Sequence, residues 1–470
     1  MFKPFEHKRN ENIGAIVSSV LFFTIAVFLF LFYSISLSSL VLIAVLALYM
    51  HFFYSKKNLP SVLDMVLLLS LALLIIALTK VTSKLPPRLL PYAVSAIGFS
   101  ILITMLFDDL QLSIFFSLII STLAASSQIG DSGLAVSISL FSASIVAAML
   151  SFRVRTRFRI IRAGLLAGAI QFAVAFIAQK GEPHSFLAYH DMELLKVCLL
   201  NGTISGVVVG GILPVFEYIF RVVTNISLLE LSDFNHPIMK MMILEAPGTY
   251  QHSLVVANLG EAAAEAIGAN PLLVRVGSYY HDIGKIPKAH YFVENQIPYR
   301  DSHKDLKPSI SKMIIINHVK EGVDLAKKHR LNPKIINFIV QHHGKSLVYY
   351  FYHRARELEP EREDEEEYRY PGPRPQSKEV AIVALADTIE ALSRTLEEPT
   401  PARIKEMVQE VVRKKFIEGE LDESDLTLKD LEKITESFVR ILNAIFHTRV
   451  NYPQNGTNKK PAKSQDDQSE

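Results

Sequence analysis

Residues 280 to 285 read Tyr280-His281-Asp282-Ile283-Gly284-Lys285. The histidine–aspartate pair closes a segment, 271 to 282, whose apolar residues recur at helical spacing and whose Pro271 suits a first-turn position. Gly284 can stop that helix and release Lys285 toward a phosphate. Alone, a His-Asp dipeptide says little. Its weight comes from the residues on either side: His252 about one helix upstream, then His318, the adjacent pair His342 and His343, and Asp387 within Ala386-Asp387-Thr388-Ile389-Glu390. Imidazole is the commonest side-chain ligand for transition metals, and a carboxylate can hold one ion with each oxygen. A carboxylate set between two histidine groups can therefore bridge a pair of divalent ions.

Helical spacing continues around these residues, with few strand-like alternations. Helices are expected near 250–267, 271–282, 308–329, 333–343, 378–396, 401–418 and 428–447, with Pro333 and Pro401 again at first-turn positions. Residues 225 to 452 read as an all-α domain, entered through a connecting stretch that runs to about Ala246. The acidic run Glu359 to Glu367, which leads into Tyr370-Pro371-Gly372-Pro373, is expected to be a solvated loop, and 453–470 a disordered tail. His236, His290, His303, His329, His353 and His447 lack comparable neighbours and are expected in surface or core roles.

The other half of the chain is different in kind. The whole has a mean hydropathy of +0.25 with 50% hydrophobic residues, and its net charge of +2 gives no reason to expect nucleic acid. Residues 1 to 224 are a series of apolar runs with short polar breaks, and eight of them approach or reach the length that crosses a bilayer. They lie near 13–33, 35–54, 62–80, 90–107, 111–127, 133–151, 160–178 and 195–222. The first is too long for a signal-peptide core and lacks a small-residue cleavage site, so it reads as an uncleaved span. Arg153, Arg155, Arg157, Arg159 and Arg162 crowd the break between the sixth and seventh runs; Lys56 and Lys57, and Lys3, Lys8 and Arg9, fall on the same face. That face is expected to be cytoplasmic, together with the charged half that follows, although Lys80, Lys84 and Arg88 fall opposite.

Ionisable residues such as Asp64, Lys80, Asp108 and Glu217 lie near run ends, which argues against an ion path. Gly202, Gly206 and Gly210, with Gly164 and Gly168 in the preceding run, are spaced for close helix contact. One cysteine, Cys198, excludes internal disulfides and thiolate metal clusters.

The order of the ligand-type residues resembles the HD-domain metal phosphohydrolase superfamily. Pro247-Gly248-Thr249-Tyr250-Gln251-His252-Ser253, the 280–285 stretch, Gln341-His342-His343-Gly344, Tyr370-Pro371-Gly372-Pro373 and Leu385-Ala386-Asp387 are similar to one branch, the membrane-anchored 7TM-HD proteins that degrade cyclic di-AMP. The resemblance implies one ion on His252, His281, Asp282 and Asp387 and a second on Asp282, His318, His342 and His343. It also implies a bridging water as nucleophile, Lys285 as a stabiliser of phosphoryl charge, and iron or manganese as the pair of ions, in keeping with nitrogen and oxygen donors without sulfur. Two features depart from the pattern. Gln251 stands where many relatives carry a second histidine, and little more than Ser34 separates the first two runs, where the family usually has a large extracellular domain.

The function so implied is hydrolysis of cyclic di-AMP to linear 5'-pApA at the inner face of the cell membrane, by a multi-pass protein with a cytoplasmic HD domain. A related HD hydrolase of cyclic di-GMP or a nucleotide triphosphate is the nearest alternative, but Gly344-Lys345-Ser346-Leu347 lacks the Gly-Tyr-Pro signature of the cyclic di-GMP branch. A non-catalytic nucleotide receptor would be expected to have lost ligands, and all seven remain. The expected partners are a cyclic dinucleotide and membrane lipid, without polymeric nucleic acid; a homo-oligomer is compatible with the sequence.

Overall fold

A computed structural model of the chain describes residues 96–125, 131–180, 189–220, 222–296, 302–358 and 364–446. The expected spans at 13–33, 35–54 and 62–80, and the tail at 453–470, lie outside the described residues. The remaining apolar runs form α1 (Ala96–Phe107), α2 (Leu110–Ala125), α3 (Asp131–Ser151), α4 (Arg157–Lys180) and α5 (Tyr189–Phe220). Three of these contain stretches long and apolar enough to cross a membrane, Gly133–Ser151, Arg157–Ala178 and Asp191–Phe220; α1 and α2 are apolar but shorter. Several of their buried hydroxyls bond to backbone within the bundle, as an apolar surround favours: Ser100 Oγ donates to Ser144 O at 2.7 Å and Thr104 Oγ1 to Ser100 O at 2.8 Å.

The spaced glycines are where α4 and α5 meet. A Cβ on Gly164 would stand 2.1 Å from Gly202 O, and one on Gly168 would stand 2.4 Å from Cys198 O, so only hydrogen fits between the backbones. Gly210 is less confined, with Ile160 Cδ1 at 3.9 Å as its nearest neighbour.

The arginine-rich break marks the end of the bundle that meets the second half of the chain. Arg153 pairs with Asp108 at 3.3 Å, bringing the α1–α2 and α3–α4 breaks to one end. Arg157 donates to Gly210 O at 2.9 Å and pairs with Glu230 at 2.8 Å. The last ten or so residues of α5 therefore run beyond the start of α4, about 15 Å of helix leading to the next domain.

That domain is helical, and among its described residues the only β feature is an isolated bridge between Leu347 and Arg369. Its helices are α6 (Asn225–Leu231), α7 (Pro237–Glu245), α8 (Pro247–Ile267), α9 (Pro271–Tyr280), α10 (Pro308–Lys328), α11 (Pro333–Gln341), α12 (Tyr349–Leu358), α13 (Lys378–Ser393), α14 (Pro401–Ile417) and α15 (Leu428–Phe446). Proline opens six of them, where its missing N–H is no loss, and Asn270, Asn332, Ser377 and Thr400 cap α9, α11, α13 and α14 with side-chain oxygens.

The stretch read as a connector to Ala246 is thus not plain coil. It folds as α6 and α7, whose Leu228, Ile238, Met239 and Met242 are fully buried against Tyr279, Tyr280 and Ile283. Elements of seven and nine residues carry too few turns for their periodicity to stand out. A second apolar cluster joins α8 and α13 to α14 and α15, through Leu259, Ile382, Leu385, Ile404 and Phe438. α8, with one side on each cluster, and α13, buried along most of its length, hold the polar residues between them.

Candidate metal centre

Five separate elements deliver the seven residues. His252 lies in the second turn of α8, His281 and Asp282 directly follow α9, His318 lies in α10, His342 and His343 directly follow α11, and Asp387 lies in α13. Helix ends serve here because they let two consecutive side chains turn into the same space. α9 stops at Tyr280, earlier than the sequence reading placed it, and a 3₁₀ segment, Ile283–Tyr291, carries the chain away. Gly284 does not act as a left-handed stop. It is required because a Cβ there would meet His318 O at 1.8 Å, so it brings the residues after Asp282 directly against α10.

The side chains converge on Asp282. Its Oδ1 is 3.4 Å from His318 Nε2 and 3.6 Å from His342 Nε2, and its Oδ2 is 3.3 Å from His281 Nε2 and 3.6 Å from His252 Nε2. Asp387 Oδ1 lies 3.0 Å from His252 Nε2, and its Oδ2 lies 3.7 Å from His343 Nδ1. Two groups result, His252, His281, Asp282 and Asp387, and Asp282, His318, His342 and His343; within each, the ligand atoms all lie within 4.8 Å of one another. Donors about 2.1 Å from one ion can be no more than about 4.2 Å apart, so a small contraction closes each group on a cation.

The hydrogen bonds around the centre select the tautomers. Nδ1 of His281 donates to Ser278 O at 2.7 Å, Nδ1 of His318 to Ile315 O and Nδ1 of His342 to Phe338 O at 2.9 Å. When each ring is neutral, the lone pair is thereby left on Nε2, facing Asp282. Among the described residues these three Nε2 atoms, and Asp282 Oδ1, are buried without hydrogen-bond partners, a costly arrangement unless something binds them together. All donors are nitrogen or oxygen, a set that suits divalent metal ions. His343, with its side chain 21% exposed, and Asp387, at 11%, are the most open of the seven and mark the side of the centre nearest solvent.

The chain belongs to the family of 7TM receptors with an intracellular HD hydrolase. The model for that membrane region matches residues 29–224, and the HD domain model matches 249–392, so that together they span most of the chain. This 7TM-HD chain is 37% identical over 298 residues to the cyclic-di-AMP phosphodiesterase PgpH of Bacillus subtilis, covering 63% of this chain and 42% of that protein. It is 36% identical over 322 residues to PgpH of Listeria monocytogenes, covering 68% and 44%. It therefore spans less than half the length of these two relatives. Among solved structures, the HD domain of L. monocytogenes PgpH in complex with cyclic di-AMP is 44% identical, with a TM-score of 0.45 over 46% of this chain and 100% of that one.

In the 7TM-HD site three further residues pack beside the seven and Lys285; Tyr370 and Glu390 fall within the motifs quoted above, but neither they nor Glu294 have a role assigned from sequence. Glu390 accepts from His252 Nδ1 and is itself held by Arg394, so it fixes the His252 ring; its position three residues after Asp387, on the same face of α13, was the available signal. Glu294 accepts from Lys285 Nζ at 2.9 Å, and nothing in its local sequence marks it. Tyr370 lies in the loop expected to be solvated, yet it is buried and stacks on His343 with ring centres 4.2 Å apart. The acidic residues before it, Asp364 to Glu367, do face solvent for the most part; the turn after them folds back over the site. Gln251 is exposed, and it is in neither of the two groups of ligand-type residues.

Charge divides the two groups. Burial opposes a proton on His252 and His281, but the carboxylates outweigh it: Asp387 and Glu390 push His252 up to about 9, and Asp282 and Asp387 push His281 up to about 10. On the other side burial prevails, taking His318 down to about 4 and His343 well below the usual imidazole range, the latter with repulsion from His342. In chelated protein at neutral pH, an ion entering the first group must displace protons from two imidazoliums, whereas His318 and His343 already offer neutral nitrogens.

Titration calorimetry of metal into chelated protein should therefore resolve two steps. One depends less steeply on pH between 6 and 8. The other tightens by up to about a hundredfold per pH unit and releases protons. A single pH-independent step for both ions would contradict the charge assignment.

Proposed function

We propose that this chain is a metal-dependent phosphodiesterase that hydrolyses cyclic di-AMP to linear 5'-pApA at the cytoplasmic face of the cell membrane. The observation that carries the reading is the sharing of Asp282 between two four-residue groups, each of a size to close on one ion. Two divalent ions, when bound, would supply the acidity that ionises a water and the charge that stabilises phosphoryl oxygens. Asp282 fixes the spacing of the pair and lies fully buried, so its charge is not screened by solvent.

Lys285 Nζ stands 2.7 Å from Asp282 Oδ2 and 2.9 Å from Glu294, which hold its pKa well above the usual lysine range against the effect of burial. It is a fixed positive charge beside the phosphoryl position. In this reading it supports developing negative charge on the phosphoryl oxygens while Glu294 keeps it in place.

The choice of cyclic di-AMP over other phosphoesters rests on the PgpH relatives at 36–37% identity, together with the motifs around the seven residues. The arginines at 153–162 support a cytoplasmic site, since Arg157 belongs to the end of the bundle that contacts α6. Purified full-length protein in detergent, loaded with manganese or ferrous ion, is expected to convert cyclic di-AMP to a product with the mass of 5'-pApA. Failure with both ions, while cyclic di-GMP or a nucleoside triphosphate is cleaved, would move the assignment to another HD hydrolase.

A further inference from the structure

Beyond the seven residues, on the side where His343 is open, three cations gather around one carboxylate. Lys345 follows His343-Gly344 directly, and its side chain runs over Gly372, where an added Cβ would be 3.3 Å from Lys345 Cγ. Arg374 follows the Tyr370–Pro373 turn, and Lys415 comes from the last turn of α14. Glu420 lies among them, nearly fully buried: it accepts from the Lys345 backbone N at 2.9 Å, and Arg374 Nε is 4.0 Å from its Oε1.

The charges do not balance. Lys415 Nζ donates to a neutral oxygen, Ser346 Oγ at 2.5 Å, and among the described residues no carboxylate oxygen comes within ion-pair distance of it. Arg374 Nε is buried without a hydrogen-bond partner among the described residues. Ser346 belongs to the metal-site loop, since its N–H reaches back to His343 O at 3.0 Å and its carbonyl accepts from Tyr370 N at 3.0 Å. The Lys415 ammonium therefore rests against the loop that carries His343. A half-buried cation held by a hydroxyl, beside a buried guanidinium nitrogen with only a long ion pair to Glu420 and no hydrogen bond, is an arrangement that an anion completes.

We propose that Lys415, with Arg374 and Lys345, forms the subsite for the second phosphate of a cyclic dinucleotide, the one not being cleaved, a role that rests on the phosphodiesterase reading above. A cyclic dinucleotide carries two phosphodiesters in one small ring. When one lies over Asp282, the other is held close by and is taken out of water with it, so it needs positive charge at the rim. Burial lowers the Lys415 pKa, and the nearby charges of Glu420, Asp387 and Glu418 do not restore it, so an arriving phosphate would supply the close anionic partner that this lysine lacks. A substrate with a single diester gains nothing from this rim.

The test compares cyclic di-AMP with bis(p-nitrophenyl) phosphate, which carries one diester, on full-length manganese-loaded protein in detergent, for the unaltered chain, Lys415→Met and Lys415→Arg. Lys415→Met is expected to raise KM for cyclic di-AMP about tenfold, the low end for loss of a charge-assisted contact. Selectivity for cyclic di-AMP over the single diester, as the ratio of kcat/KM values, should fall by the same factor, and Lys415→Arg should restore most of it. An unchanged KM overturns the subsite. Equal losses on both substrates also overturn it, because they would mean that Lys415 only pins the loop behind His343. If the unaltered chain cleaves the single diester but not cyclic di-AMP, the substrate reading itself fails and this subsite fails with it, a result distinct from any seen only in the variants.

Discussion

Asp282→Ala is expected to abolish hydrolysis, with activity falling at least about a thousandfold, and to reduce bound metal from two ions per chain to one or none. Asp282 is the one residue whose two oxygens face different histidine groups, Oδ1 toward His318 and His342 and Oδ2 toward His281 and His252. Removing it leaves each group with three donors and nothing to set the distance between ions. Asp387→Ala should be milder in metal content, since Asp387 belongs to only one of the two groups. The fold should survive Asp282→Ala, because Lys285 keeps Glu294 as a partner and the lost charge sits among histidines that can shed protons. Metal analysis by mass spectrometry, with circular dichroism as the check on folding, decides the matter. An Asp282→Ala protein that still binds two ions and turns over cyclic di-AMP would falsify the shared-carboxylate reading.

Much of this arrangement was legible in the sequence, for reasons that can be stated residue by residue. The helices that begin at Pro308 and Pro401 carry strong start signals, and their apolar faces repeat over 21 and 17 residues, enough turns to be recognised. Six of the seven ligand-type residues stood out because four short motifs supplied them in order, His318 standing alone between them, and the structure brings all seven to one place. What the sequence could not convey depends on contacts between distant segments. Glu294 matters only because the 3₁₀ turns after Asp282 return it to Lys285, and Tyr370 only because its loop folds back over His343. Composition made that loop look solvated, since acidic residues and a Pro-Gly-Pro turn precede or contain the part that is buried. α6 and α7 were missed because their short apolar faces gain meaning only against Tyr279 and Tyr280 of α9. The Tyr280 hydroxyl then donates to Leu231 O at 2.8 Å, tying the helix that ends in His281 and Asp282 to the segment that leaves the membrane bundle.

Gly284→Ala is the smallest substitution expected to disable the site without touching a donor. The added Cβ would lie 1.8 Å from His318 O, 2.5 Å from Gly322 N and 2.8 Å from His318 C. All three are backbone atoms of α10, so no rotamer change relieves the overlap; either α10 or the turn after Asp282 must move by an ångström or more. Gly322 is itself confined by Ile339 of α11, at 2.7 Å from its own added Cβ, so α10 cannot retreat far in that direction. The displacement falls on His318, whose Nε2 faces Asp282 at 3.4 Å, and on Asp282 from the other side. Overpacking of this kind destabilises by about 1–3 kcal/mol, and a misplacement of about 1 Å in a catalytic group lowers rate about a hundredfold. Hydrolysis by Gly284→Ala should fall by that factor, with weaker binding of the ion assigned to His318, His342 and His343. Gly268→Ala gives the contrast. That residue ends α8 at φ 74° with nothing within 4 Å of its added Cβ, so its strain is local: stability should fall by about 1 kcal/mol while metal content and turnover are retained. If Gly284→Ala behaves like Gly268→Ala, the close contact between the His-Asp turn and α10 has no part in holding the metal ligands, and Gly284 is in the motif for some reason other than packing.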